Sequence, residues 1–370
     1  MMNPRDRLLK TLRGERADRV PLILDGFHYA SRAEIEAEPD PARREIAHRI
    51  FDQTAAHVGC PSFVNRYLVT PPQRIHEVRR EEGGEPITIT SEIETPRGTL
   101  TAATCRNLIT NTTWTVQYPV ETLQDVEALR SVPWELPEGL APPDLSTLPP
   151  GFNERGILET RISSPFVCVA GMMPYQTFLE WCAIELPLIV ELTALCLERI
   201  LDVLDVLLAP GTIEYVWMGG CEWLTPPMGS PRTYEELVQP FEKAVIDRIH
   251  AAGAICHVHC HGNVRSTLEL VIARGGDFFE PVEPPPDGDI TFAEAKALAA
   301  GRMTLGGNVE ARIIANGSVE EVEAATMRAF EGGVERMVLK PSEGPLGALT
   351  PQMAANYHRV VDVWERLSAL

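Results

Sequence analysis

Short apolar runs alternate with helical or loop segments along the last two thirds of the chain, and this alternation limits the fold more than any other feature. From about residue 160 the runs are FVCVAG, YVWMGGCE, AICHVHCHG, FFEPVE, MTLGGNVE and RMVLKPSEG. Each is followed by a helical stretch or by a Pro- and Gly-rich loop, a pattern that favours a parallel sheet built from βα units. The GxGxxG and GxxxxGKS/T motifs that usually mark an open doubly wound sheet are absent from the sequence. We therefore predict an α/β fold of the (β/α)8 TIM-barrel type.

Four other stretches define the rest of the predicted organisation. NPRDRLLKTLRGE has an Asn before Pro and then a leucine stripe, which predicts a capped N-terminal helix, and RVPLILDG predicts a buried strand that ends at Asp25. PITITSEIETPRGTLTAAT alternates apolar and polar residues around a PRG turn and predicts an antiparallel hairpin, and the Pro-rich VPWELPEGLAPPDLSTLPPG that follows predicts an irregular connection. We predict a single TIM-barrel domain over 1–370, with an N-terminal helical extension and an inserted hairpin and irregular region at about 60–155.

Composition and charge exclude several classes of partner. The chain has 370 residues, of which 44% are hydrophobic, enough for the core of one large barrel. Its formal net charge of -19 would repel a nucleic acid or an anionic membrane surface. The charged N-terminus lacks the apolar core of a signal peptide, and the eight cysteines show no CxxC pair or disulfide spacing. We expect a cytoplasmic protein that acts on a small molecule, with no nucleic-acid or membrane partner.

The stretch AICHVHCHGNV places His257, His259 and His261 at alternate positions, so that on a strand their side chains would share one face. Barrel active sites lie at the C-terminal ends of the strands, and there His259 and His261 are expected near carboxylates, which predicts a metal site. The alternative is that both rings merely bind backbone or water. His257 lies deeper and is expected to belong to the core or to orient a ligand. Cys260 points to the other face and is expected to be a buried thiol.

Acidic groups follow several of the predicted strands and would face a single cup at the barrel mouth. These strand ends are Cys221 with Glu222, Glu280 with Glu283, Glu310, and Glu343. We assign Glu283 and Glu222 as candidate catalytic groups, with solvated loop residues as the alternative. Asp25, His28 and Tyr29 follow the first predicted strand and are candidates for lining a substrate pocket, with a core or rim role equally open.

Several segments together carry a family resemblance, which covers about 1–30 and 210–370. They are NPRDRLLKTLRGERADRVPL, GSPRTYEELVQPFEKAVIDRIHAAG, HCHGNV, PVEPPPDGDITFAEAKALAAGRMTLGGNV and GGVERMVLKPSEGPLGALTPQM. They resemble the uroporphyrinogen decarboxylase superfamily, which includes zinc-dependent methyltransferases that move methyl groups to or from corrinoid cofactors. True decarboxylases have an Arg-rich stretch after the first strand, whereas DGFHYASR here has Arg32 as its one cation. The resemblance therefore implies the methyltransferase branch rather than tetrapyrrole decarboxylation.

The resemblance also implies a set of metal ligands. The methyltransferase branch binds zinc through one His and two Cys. An alignment through Gly262 and through Thr350 and Pro351 matches His259 to the family histidine. It places His261 and Glu343 at the two cysteine positions. The implied site is His259, His261 and Glu343, a set that suits Zn2+ and also Fe2+. Without thiolate ligands the ion is a harder Lewis acid, which argues against a thiol acceptor and favours activation of a methoxy or similar donor.

The function implied is a metal-dependent methyltransferase or demethylase. It would move a methyl group from a small methoxy- or methylamine-type donor to a corrinoid (cobalamin) acceptor held by a partner protein. One alternative keeps the fold and makes the protein a decarboxylase or lyase of a small carboxylic acid. The other is a non-catalytic barrel that binds a small molecule or a corrinoid partner, and the many titratable groups at strand ends weigh against it.

Overall fold

The computed structural model describes residues 2–60, 67–84, 86–110 and 112–369. Its strands are β1 (Ala56–Gly59), β2 (Ile75–Glu81), β3 (Ile87–Thr95), β4 (Gly98–Arg106), β5 (Thr113–Gln117), β6 (Gly156–Ser163), β7 (Tyr215–Gly219), β8 (Ile255–His259), β9 (Phe278–Glu280), β10 (Thr304–Val309) and β11 (Met337–Pro341). Its helices are α1 (Pro4–Leu12), α2 (Arg32–Ala37), α3 (Pro41–Ile50), α4 (Leu123–Arg130), α5 (Phe152–Arg155), α6 (Pro165–Ala170), α7 (Tyr175–Ile184), α8 (Leu186–Leu208), α9 (Pro231–Leu237), α10 (Gln239–Ala251), α11 (Leu268–Arg274), α12 (Phe292–Ala299), α13 (Ala311–Asn316), α14 (Val319–Ala329) and α15 (Pro351–Leu367). Within the described ranges, no helix combines the length and the apolar character that crossing a membrane requires.

A curled parallel sheet forms the centre of the molecule, in the order β1, β6, β7, β8, β9, β10 and β11. The predicted first strand, RVPLILDG, is reduced to two isolated bridges, a parallel one between Leu22 and Leu339 of β11 and an antiparallel one between Arg19 and Ala369. Two backbone hydrogen bonds hold it beside β11, from Ile23 N to Leu339 O and from Leu339 N to Pro21 O. With this segment beside β11 and helices covering the outside, the chain has the predicted TIM-barrel-like α/β fold.

One of the predicted barrel strands is wrong. FVCVAG lies in helix α6, and the strand that precedes β7 is instead β6, with the sequence GILETRIS. A short buried apolar run does not by itself distinguish a strand from a buried helix, and all six residues of α6 are buried. Pro165 provides the local reason, because it occupies the first turn of α6, where a helix needs no backbone N–H.

A second sheet lies in the segment between β1 and β6. It is antiparallel, in the order β2, β3, β4 and β5, and its β3–β4 pair is the hairpin predicted around the PRG turn, with Thr95 opposite Gly98. The Pro-rich connection after α4 is irregular chain with turns and one short 3-10 helix at Leu145–Thr147, as predicted. The division into one domain with an insertion at about 60–155 stays a prediction.

Side chains of the barrel strands alternate between an outer and an inner core. The outer core, between sheet and helices, includes Val216, Met218, Cys256, Val258 and Cys260. The inner core fills the base of the barrel with Ile23, Ala55, Ile157, Tyr215, Ile255, Phe278 and Val338, closed by Leu8, Leu9 and Leu12 of α1. Full burial of each of these leucines contributes about 1.5–3 kcal/mol. Because successive strand residues point to opposite faces, side chains two positions beyond the base residues face the barrel interior, one layer nearer the C-terminal ends.

Candidate functional site

The layer of inward-facing side chains directly above the apolar base of the barrel is mainly polar. In most TIM barrels such layers are filled by Val, Ile and Leu. Its members are Asp25, His57, Glu159, Trp217, His257, Glu280 and Lys340. Charged and titratable side chains gathered inside a barrel on the active-site side of its apolar base mark a candidate functional site.

Three side chains in and just above this layer form a group that can hold a metal ion, called here the inner triad: His257, His259 and Glu280. Each offers one ligand atom, and the three atoms lie within 4.8 Å of one another. Glu280 Oε1 lies 2.7 Å from both His257 Nε2 and His259 Nδ1. The geometry follows from strand pairing, because β8 and β9 are neighbours and His259 is opposite Glu280. Two imidazoles and one carboxylate form a known catalytic zinc set that leaves a coordination position open.

The surroundings of His257 fit the role of a metal ligand. Its Nδ1 lies 2.7 Å from the Tyr215 hydroxyl, which fixes the ring. Its Nε2 is buried and, although close to Glu280, has no aligned hydrogen-bond partner among the described residues. Burial lowers the pKa of His257 against the attraction of Glu280, which favours the neutral ring that binds metals. When Nδ1 donates its proton to Tyr215, Nε2 presents a free lone pair beside the other two triad residues.

Lys340 connects the inner triad to the start of the chain. Its Nζ lies 2.6 Å from Asp25 Oδ2 and 3.0 Å from Glu280 Oε2, and these three residues are called here the ion chain. Burial alone would lower the pKa of Lys340, but the two carboxylates raise it above its usual value. Burial, the largest single effect, would raise the pKa of Glu280 and of Asp25. The Lys340 ammonium opposes it, together with His259 and His257 at Glu280 and with His28 at Asp25, and both pKa values lie below their usual range. The Glu280 carboxylate is therefore ionised and held in place beside the two histidines.

Two of the three predicted pocket residues lie in this site. Asp25 belongs to the ion chain, and His28 Nε2 lies 3.4 Å from Asp25 Oδ1. The His28 ring packs 4.9 Å from that of His57, and burial lowers the pKa of His28. Tyr29 lies elsewhere, because its hydroxyl donates to Glu38 at 2.7 Å and its ring packs against helices α2 and α3.

His261 pairs with Glu283 rather than with the inner triad. The distance from His261 Nδ1 to Glu283 Oε2 is 3.1 Å, and the same oxygen accepts a hydrogen bond from Gly262 N. Burial lowers the pKa of His261, but Glu283 outweighs it and the pKa lies above its usual value. The negative charge of Glu222 acts in the same direction, and Glu222 Oε2 is buried with no hydrogen-bond partner in the described part of the chain. These residues form an acid–base pair with a further carboxylate nearby, next to His259, whose ring lies 4.7 Å from that of His261.

Glu343 is not brought to the histidines. Its side chain is exposed in the loop after β11, and within the described residues the metal-capable group consists of the inner triad alone. Of the set that the resemblance implies, only His259 belongs to this group. The physical reason is depth, because β11 contributes Lys340 to the polar layer and ends at Pro341, two residues before Glu343.

A second polar group, which the sequence analysis did not identify, is formed by residues of β1 and β6. His57 Nδ1 lies 2.9 Å from Glu159 Oε2, and Arg161 Nε donates to Glu159 Oε1 at 2.6 Å. Burial would raise the pKa of Glu159, but His57 and Arg161 lower it to about 2. The Arg161 guanidinium lies over the Trp217 ring, which in turn lies 5.0 Å from the ring of His259. This part of the barrel therefore presents an aromatic wall and a cation.

Gly306 of β10 makes room for Glu280. A Cβ at this position would lie 2.5 Å from Glu280 Cβ and 2.8 Å from the Phe278 ring. We expect Gly306→Ala to displace Glu280 and to lower the free energy of unfolding by about 1–3 kcal/mol, as overpacking typically does. Gly83→Ala is the matched control, because nothing lies within 4 Å of its added Cβ. Urea unfolding measures both variants, and equal stability of the two would contradict the steric argument.

A barrel with a polar, metal-capable layer at the C-terminal ends of its strands has the architecture of a TIM-barrel enzyme. The chain belongs to the uroporphyrinogen decarboxylase family, since the family model for uroporphyrinogen decarboxylase (URO-D) matches residues 115–362. The family that the sequence motifs resemble is thereby confirmed.

Solved structures are similar to this chain in fold. A methyltransferase from Methanosarcina mazei superposes with a TM-score of 0.61 at 15% identity, covering 99% of each chain. A B12-independent methionine synthase from Shewanella sp. W3-18-1 gives a TM-score of 0.43 at 8% identity, over 79% of this chain and 75% of that one. The first likeness shows a shared fold, and the second is too weak to add to it. No curated protein matches the sequence.

Proposed function

We propose that the protein is a metal-dependent methyltransferase or demethylase that moves a methyl group from a small methoxy- or methylamine-type donor to a corrinoid on a partner protein. The observation that supports this proposal is the inner triad, which provides a metal-capable donor set inside the barrel of a member of this family. The fold shared with a methyltransferase from Methanosarcina mazei is consistent with it.

His257, His259 and Glu280 are the proposed metal ligands. The fit rests on the buried His257 Nε2, which has no aligned hydrogen-bond partner among the described residues, and on the 2.7 Å approaches that Glu280 Oε1 makes to both rings. Two neutral imidazoles and one carboxylate suit Zn2+, with Fe2+ as the other ion for which this set is known. A bound dication supplies a Lewis acid that draws electron density from the oxygen or nitrogen carrying the methyl group.

The other side chains of the mouth are assigned to proton transfer and substrate positioning. When the methyl group leaves, the donor departs as an alcohol or an amine, and its heteroatom needs a proton. His261 can hold that proton at Nε2, because Nδ1 faces Glu283 and this contact raises the His261 pKa. Glu283 therefore acts through His261, and Glu222 is the second candidate donor. Trp217, whose ring lies 5.0 Å from that of His259, is assigned to covering this ring against water.

A decarboxylase of a small carboxylic acid is the second candidate function. The guanidinium of Arg161 favours it, because this side chain is 58% exposed beside Trp217 and can bind a carboxylate.

We expect incubation with cob(I)alamin and a panel of methoxy and methylamine compounds to give methylcobalamin for at least one donor. The reaction consumes the donor, Co(I) and one proton, and releases the demethylated alcohol or amine, so the cobalamin absorption spectrum reports the transfer directly. The rate should fall on chelation and return with added Zn2+. Release of CO2 from a panel of small acids, at a rate that survives chelation and without any methylcobalamin, would instead support the decarboxylase.

A further inference from the structure

Asn308 of β10 is buried with both ends of its carboxamide unpaired. The residue is 5% exposed, and neither Oδ1 nor Nδ2 has a hydrogen-bond partner among the described residues. A buried donor and a buried acceptor without partners are unfavourable, and native chains rarely leave them so unless water or a ligand completes them. Asn308 is therefore not explained by the stability of the fold.

The position of Asn308 relates this carboxamide to the candidate site. It is opposite Lys340 of the ion chain in the pairing of β10 with β11. It also follows Gly306 by two residues, and an added Cβ at Gly306 would point at Glu280. Strand alternation therefore turns the Asn308 side chain into the same interior, two residues further along β10 than the position that faces Glu280.

Asn356 of α15 shows how this chain satisfies a buried amide that serves structure. Its Nδ2 donates to Ile314 O at 2.8 Å and to Gly317 O at 2.9 Å, and its Oδ1 accepts from Gln352 Nε2 at 3.1 Å. Asn356 is buried like Asn308 and differs in having partners at both ends. The two residues form a matched pair for experiment.

We propose that Asn308 binds the substrate, and that the substrate carries a neutral carboxamide, lactam or ureido group. The N–H of such a group donates to Asn308 Oδ1 while its carbonyl accepts from Nδ2, so one ligand edge completes both atoms. A carboxylate offers two acceptors and would leave Oδ1 unpaired, and an ammonium offers no acceptor for Nδ2. This inference rests on the proposed function for the location of the substrate, and it adds the chemical class of the group that is recognised.

The test compares binding of 2-pyrrolidinone and acetamide, with acetate and tetramethylammonium as mismatched probes, by calorimetric titration at millimolar concentration. Wild type should bind the two amides in preference to the mismatched probes, and Asn308→Leu should weaken amide binding by about 10-fold or more, as loss of paired polar contacts does. In the ligand-free protein, Asn308→Leu should keep or raise the melting temperature, because it removes two unpaired polar atoms. Asn356→Leu should lower it by several degrees.

Three results would overturn the inference. They are amide affinity that is equal in wild type and Asn308→Leu, no preference of wild type for amides over acetate, and a loss of melting temperature in Asn308→Leu as large as that in Asn356→Leu. None of these readouts involves metal content or methyl transfer. A negative result in the metal or methyl-transfer assays would therefore not change the interpretation of amide binding. A negative amide test would likewise say nothing against metal binding or methyl transfer.

Discussion

Glu280→Gln should strip the protein of its metal, whereas Glu343→Gln should leave it near one divalent ion per chain. Glu280 Oε1 approaches a nitrogen of both His257 and His259, while the Glu343 side chain is exposed beyond the end of β11. A neutral amide oxygen is a much weaker ligand than a carboxylate. Since loss of an outer-shell partner already weakens metal affinity by about 10–100-fold, loss of a ligand should weaken it by about 100-fold or more. Elemental analysis of protein purified without added metal, followed by competition with a chelator, measures both variants.

Controls separate ligand loss from misfolding. Glu280 also binds Lys340, so circular dichroism and a melting curve should accompany each variant, and His259→Ala removes a second triad ligand by an independent route. Metal that survives Glu280→Gln but not Glu343→Gln would restore the set of His259, His261 and Glu343 implied by the family resemblance. Metal that survives in all three variants would place the ion outside the inner triad.

Much of the barrel could be predicted from sequence because its strands are short, buried and regularly spaced. The five runs from YVWMGGCE to RMVLKPSEG each contain a barrel strand, and the PRG hairpin is present as predicted. The strand predicted for FVCVAG was wrong because a short buried apolar run is compatible with a helix as well as with a strand. The Ser-Pro pair that precedes it was the local signal for the start of a helix.

The histidine row shows what the sequence could and could not predict about the site. Alternation placed His257 and His259 on one face and Cys260 in the outer core, as the structure has them. It could not predict depth, because the stagger between β8 and β9 decides which carboxylate meets which histidine. That stagger places Glu280 opposite His259, whereas Glu283 reaches His261 from the following loop. His257, expected to belong to the core or to orient a ligand, is a member of the metal-capable group itself.

Lys340 and Glu159 were missed for a different reason. Each interrupts an otherwise apolar strand, in RMVLKP and in GILETRIS, and each is buried. Lys and Glu are almost never fully buried without a partner, so a charge inside a predicted barrel strand was itself the available signal. The partners could not be named from sequence, because Asp25 lies more than 300 residues before Lys340 and only barrel closure brings the two together.

Lys340→Met should lower the free energy of unfolding by about 3–5 kcal/mol near neutral pH, because it leaves the buried Glu280 carboxylate without its cation. Asp25 is more exposed and contributes less, since water screens its charge.

In wild type the pKa values of Glu280 and Asp25 are lowered, so the stability that they contribute is present above the unfolded carboxyl pKa of about 4 and is lost only as the pH falls further. Because the pKa of Lys340 is raised, the stability that its positive charge contributes is fully present below its unfolded pKa of about 10. Wild-type stability from the ion chain should therefore be nearly constant from about pH 5 to 9.

In Lys340→Met the sign of the carboxylate contribution reverses. Burial is no longer opposed by the ammonium, so the pKa of Glu280 should rise above its unfolded value, and folding should then take up a proton as the pH falls. The stability deficit of the variant relative to wild type should accordingly shrink between about pH 7 and pH 5 and stay large at about pH 9. Urea unfolding of the metal-free proteins at these three pH values measures it, and Lys340→Arg, which keeps the positive charge, should show a smaller deficit with little dependence on pH. A deficit in Lys340→Met that is the same at every pH would mean that lost packing of the lysine stem, rather than an unpaired buried carboxylate, is what destabilises the variant.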